Sequence, residues 1–165
     1  MRRKISEIEQ AAPKTAMPHW DLLAPAPKRP RGSNAVLKMG EHERATHDAK
    51  VRAESGEWDG AKASTILGLY SMCHKIAYGC SPGELDDKVA FTNATRHVQR
   101  MMQDHFGGEA SRMVGFVKWV WAREKVRVDA GRASTRLGWR LQFSSSILTD
   151  YKAAAHMHSK RRVAG

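Results

Sequence analysis

The sequence has little of what usually announces a chemistry. Two cysteines, Cys73 and Cys80, stand in 165 residues. That is too few for a disulfide framework and points to a reducing, cytoplasmic setting. No run approaches the ~18 apolar residues that a membrane span needs, so no membrane partner is expected. The opening "MRRKISEIEQ" has the charges of a secretory leader but no apolar core after them. Nucleophile elbow, phosphate-binding glycine loop and paired-carboxylate motif are all missing. The glycines of "GGEAS" (107–111) precede a helix but lack a lysine or a preceding strand. These absences exclude any enzyme whose site is local in sequence, and the expectation is a non-enzyme without cofactor.

Metal binding is excluded on similar grounds. Zinc sites show two short ligand pairs. Here Cys73 and Cys80 are seven apart and share the apolar stripe of one helix, so they read as small buried thiols. His156 and His158 point about 200° apart on a helix, a poor geometry for sharing an ion.

What the sequence does have is positive charge. Twenty-eight Lys and Arg against seventeen Asp and Glu give a net charge of +11. That balance suits a polyanionic partner. The charge is also segregated: net +4 over residues 1–31, −1 over 32–106, +5 over 107–140 and +3 over 141–165. Segregation is more informative than the total, because it confines the expected footprint to the tail and the C-terminal part.

Three stretches follow from composition. Residues 1–32 hold five of the six prolines and read as a flexible basic tail, with Lys28, Arg29 and Arg31 in "APAPKRPRG". Within it Trp20, Leu22 and Leu23 form an apolar cluster suited to docking on a protein partner or on the chain's own domain. Residues 33–57 read as a polar helix or linker, solvent-bridging or only marginally stable. The first ~57 residues are therefore expected to be dispensable for folding. Residues 58–162 read as one compact, mainly α domain, and the fold expected is a small helical domain of about four to five helices with the Pro-rich tail attached.

Its helices have legible ends. Ile66, Tyr70, Cys73, Ala77 and Cys80 recur at helical spacing, and Gly79 is placed to end that helix. Ser81-Pro82-Gly83-Glu84 has the residues of a capped helix start. That helix is expected to reach Phe106 and to break at Gly107-Gly108. A third helix starts after Glu109, and Ser144–Ser146 caps a last one. Between them, Leu137, Trp139, Leu141 and Phe143 alternate with polar residues, as does "KVRV" at 125–128. Period two predicts a short β-hairpin, as in a winged-helix wing; the alternative is that 125–128 ends the preceding helix.

The third helix, "MVGFVKWVWAREKVRV", mixes tryptophan with charge. Trp119 and Trp121 point about 200° apart. Trp121 shares a face with Met113, Val114, Val117 and Val128, which reads as core. Trp119 shares the other with Arg112, Phe116, Arg123 and Arg127. That stripe either stacks on bases and binds phosphates or belongs to a central helix buried on both sides. The candidate nucleic-acid-binding residues are Arg112, Trp119, Arg123, Lys125, Arg127, Arg132, Arg136, Arg140, Lys160, Arg161 and Arg162, with Lys28, Arg29 and Arg31 in the tail.

A helix ending "AYGCSP", a long helix ending "HFGG" and a Trp-bearing third helix resemble the small helical C-terminal modules of phage and plasmid replication proteins, over about residues 61–125. The resemblance implies contact with DNA or with a replicative helicase. Together these readings predict a nucleic-acid-binding accessory protein of phage or mobile-element type, binding DNA rather than RNA, in replication or transcription. The competing expectation is a protein–protein adaptor or structural protein whose basic surface meets an acidic partner.

Overall fold

The computed structural model describes residues 39–164. Six α-helices account for them: α1 Glu41–Ser55, α2 Ala63–Tyr78, α3 Lys88–Phe106, α4 Ala110–Asp129, α5 Trp139–Gln142 and α6 Ser145–Val163, with a 3-10 turn at Gly83–Asp86. No strand occurs among the described residues. The expectations on the Pro-rich tail, on Lys28, Arg29 and Arg31, and on docking through Trp20 lie outside the described residues.

Helix α2 is the axis of the arrangement and packs on α1, α3 and α4. Every residue from Thr65 to His74 is buried. A helix apolar on all sides has no solvent face to keep, so it sits in the middle. Of the stripe read from the sequence, Ile66, Tyr70 and Cys73 belong to this buried segment, Ala77 is half-buried, and Cys80 lies beyond the end of the helix and is only half-buried, so just one of the two cysteines is the expected buried thiol. Gly79, in the left-handed conformation at φ 75°, ends α2 by donating its N–H to the Lys75 carbonyl.

Helix α1 is where composition misleads most. Its residues are largely polar, yet Ala45, Ala49 and His42 are buried. The reason is Gly68 in α2: a Cβ there would lie 2.1 Å from the Ala45 carbonyl oxygen. The two backbones meet at closest approach, and small residues on both sides permit it. The helix is therefore part of the packed unit that begins before Trp58, and it is not a solvent-bridging linker.

Two local expectations are corrected. The predicted cap at Ser81-Pro82 opens only the 3-10 turn. Helix α3 itself starts after Asp87, whose carboxylate accepts the Ala90 N–H at 2.8 Å. The predicted hairpin is absent. Residues 125–128 continue α4, and Val126 is 68% exposed, so no apolar face alternates there. Around α5, Trp139, Gln142 and Phe143 are buried while Leu141 is 51% exposed. That is helical spacing; the alternation in the sequence arises because a buried Gln142 and an exposed Leu141 exchange their usual places.

Candidate nucleic-acid interface

Helix α4 carries the expected interface and is central, as one of the two sequence readings has it. Phe116, Met113 and Val117 are fully buried and Trp121 nearly so. Trp121 joins Tyr70, His74 and Tyr78 in an aromatic cluster with ring centroids 4.8–6.3 Å apart. His74 sits inside it, and burial holds its imidazole below the ordinary histidine range. In that neutral form Nδ1–H donates to the Cys80 carbonyl at 2.6 Å. Cys73 is buried among these residues, and burial pushes its thiol up.

Trp119 lies between α4 and α6. Its ring meets the edge of Tyr151 at 5.4 Å, and the Arg123 guanidinium covers one face at 4.5 Å. Arg123 also reaches Asp150 of α6 at 3.7 Å. A base stacking on that face of Trp119 has to displace Arg123.

The arginines that follow α4 are held by a second set of contacts. The loop 130–138 is anchored at Leu137, whose carbonyl accepts from Tyr70 Oη and whose N–H donates to Tyr78 Oη, both at 2.9 Å. Tyr78 Oη in turn donates to Glu124 at 2.5 Å. Burial, with the Glu124 carboxylate beside it, pushes the Tyr78 phenol up to about 12. Glu124 is only 3% exposed, and Arg127 neutralises it at 3.0 Å. A buried carboxylate stripped of its cation is expensive, so Arg127 is committed to the fold.

The remaining candidates divide by ion pairing. Arg112 pairs with Glu109, Lys125 with Asp129 and Arg140 with Glu84 at 2.9–3.9 Å. These are exposed pairs worth roughly 0–1 kcal/mol, and a phosphate can compete for them. Arg132, Arg136, Lys160, Arg161 and Arg162 reach no carboxylate among the described residues. Arg136 donates to Cys80 Sγ at 2.9 Å and lies 5.9 Å from the Tyr78 ring centre. Lys160–Arg162 end α6, whose one buried residue, Leu148, lies in its first turn. From Lys152 onward only Ala154 is even half-buried. The structure thus brings Arg136 beside the Tyr78 ring and Arg127 to the Glu124 carboxylate that Tyr78 also contacts.

Sequence reasoning missed one constellation. His42 Nδ1 lies 2.7 Å from Asp86 and its Nε2 lies 2.7 Å from Ser71 Oγ. The order Ser-His-Asp is that of acyl-transfer enzymes, but the surroundings differ. Ser71 is 2% exposed in the middle of α2 and donates to the Leu67 carbonyl at 3.0 Å. Mid-helix N–H groups are spent on the helix ladder, so none is free beside Ser71 to hold an oxyanion. The arrangement fastens α1 to α2 and to the 3-10 turn. Only a histidine with two partners far away in sequence could have signalled it. No family model, curated protein or solved structure matches the chain.

Proposed function

We propose that the chain is a DNA-binding accessory protein that grips phosphates through its C-terminal cations. One observation carries the reading: Arg132, Arg136, Lys160, Arg161 and Arg162 have no carboxylate partner among the described residues. Unpaired cations on the exposed end of α6 and on the loop 130–138 are free to replace condensed counterions on DNA. The segregation of charge into residues 107–165 supports the same surface. The resemblance to replication-protein modules favours a place in replication. Trp119 serves here as a buttress for Arg123, and base stacking is secondary to phosphate binding.

The test is a titration of random duplex and single-stranded DNA at two salt concentrations. Affinity falls steeply with salt. Changing Arg132, Lys160, Arg161 and Arg162 together to alanine lowers the salt slope by about 0.7–0.9 for each phosphate that the protein no longer neutralises. A slope unchanged by this variant, with the melting temperature also unchanged, removes the interface. The adaptor reading then takes over; Met157 and Val163, exposed on the same free half of α6, favour it as second choice.

A further inference from the structure

We propose that the groove formed by α1, the head of α2 and α3 binds a phosphate group. The groove encloses about 580 Å³ and is lined by Arg44 and Arg52 of α1, Lys62 at the head of α2 and Arg96 of α3. Two carboxylates, Glu41 and Asp48, also face it. Asp48 is already engaged: Thr65 Oγ1 donates to it at 2.6 Å and Arg52 Nε at 3.4 Å. Arg52 is engaged too, donating to the carbonyls of Glu57 and Asp59 at 3.4 and 3.1 Å. This leaves Arg44, Lys62 and Arg96 facing Glu41 alone. None of the three pairs with a carboxylate among the described residues.

Three cations from three helices, held on one concave wall, raise the potential inside it. A phosphate relieves that potential better than a carboxylate, because it carries more charge and more acceptor oxygens for arginine forks. The head of α2 adds to the attraction. Lys62 stands at the cap position with no side-chain hydrogen bond to the helix, and Ser64 and Thr65 of the uncapped first turn line the groove. The site lies outside the proposed C-terminal interface. Helix α2 has 16 residues, so it is about 24 Å long, and Tyr78, with Arg136 beside it, is at its other end.

The experiment uses the full chain and the variant Arg44→Ala, Lys62→Ala, Arg96→Ala, all exposed positions, with melting temperatures to confirm the fold. Inorganic pyrophosphate is the first probe, read by amide chemical shifts. It is expected to move the Ser64 and Thr65 signals in the parent chain and not in the variant. Random DNA is the second probe. A salt slope lowered by the groove variant identifies nucleic acid as the carrier of the phosphate. Pyrophosphate shifts with an unchanged DNA slope identify a free phosphate compound instead. Parent-chain Ser64 and Thr65 signals unmoved by pyrophosphate, with a DNA slope the variant leaves unchanged, overturn the proposal. A Lys160→Ala, Arg161→Ala, Arg162→Ala variant run in parallel separates the two surfaces. If it alone lowers the DNA slope and pyrophosphate moves nothing at Ser64, the groove fails and the C-terminal interface stands.

Discussion

Helices α1 and α6 look alike by composition and behave in opposite ways. Both are mostly polar, with 15 and 19 residues respectively. Helix α1 is fastened along its length: Ala45 lies against α2 at the Gly68 crossing, Ala49 is fully buried, and His42 ties its first turn to Ser71 and Asp86. Helix α6 is fastened only at its start, where Leu148 is buried and Ile147 and Tyr151 pack on the core. The difference teaches that a polar helix is secured by how close its backbone can come to a neighbour, rather than by the size of its apolar side chains. Small residues bury little area each, but close approach brings many backbone atoms into contact.

The comparison breaks most visibly if α1 is removed. A chain that begins at residue 58 loses the cover over the Gly68 side of α2 and is expected to lose its cooperative melt. A sharp transition near the parent temperature would restore the domain boundary that composition suggests. Gly68→Ala comes next. Its Cβ meets the Ala45 carbonyl backbone, which cannot rotate away, and overpacking of this kind costs about 3 kcal/mol. An unchanged denaturation midpoint would show that the helices separate at no cost. His42→Ala removes both tethers of the first turn and leaves Ser71 buried; about 1–3 kcal/mol of stability is expected to go, again read from the denaturation midpoint. A loss below that range would leave close approach alone as the anchor of α1. The smallest effect on stability is expected at the other helix. Ending the chain after Ala155 removes residues of which all those described, 156–164, are exposed, and shifts stability by no more than about 0.5 kcal/mol. The same truncation lowers the DNA salt slope by about 2–3, since it deletes Lys160, Arg161 and Arg162. A large stability loss there would mean that the free half of α6 packs on something.

How much of this was legible in the sequence depends on the kind of signal. Helix ends set by glycine were legible at Gly79 and Gly107, because a left-handed conformation leaves few alternatives to glycine. Helix α5 was not, because a buried Gln142 imitates the polar half of a strand. The packing of α1 was hidden because alanine and glycine carry no periodic signal strong enough to stand out from lysine and glutamate. At the interface, the exposure of Arg123, Arg127, Arg132, Arg136 and Arg140 followed from their place at and beyond the end of α4. That Arg127 is held by Glu124 did not follow, since nothing local shows Glu124 to be buried. The groove was hidden more thoroughly: its cations come from three segments of a region whose net charge is −1.

The two tyrosines that hold Leu137 give the loop 130–138 an optical reporter. Tyr70 and Tyr78 are two of the three tyrosines, and burial raises both phenols above the ordinary value of 10.0. The folded chain therefore keeps these protons where the unfolded chain gives them up. Their contribution to stability is complete below pH 10 and is lost as pH rises from there toward and beyond 12. Phenolate absorbs at longer near-ultraviolet wavelengths than phenol, so an alkaline titration can follow these two groups by absorbance. Tyr70 and Tyr78 should ionise only above pH 10 and together with release of the loop. If Tyr70 and Tyr78 ionise near pH 10 while the helices persist, Leu137 is not held by this pair.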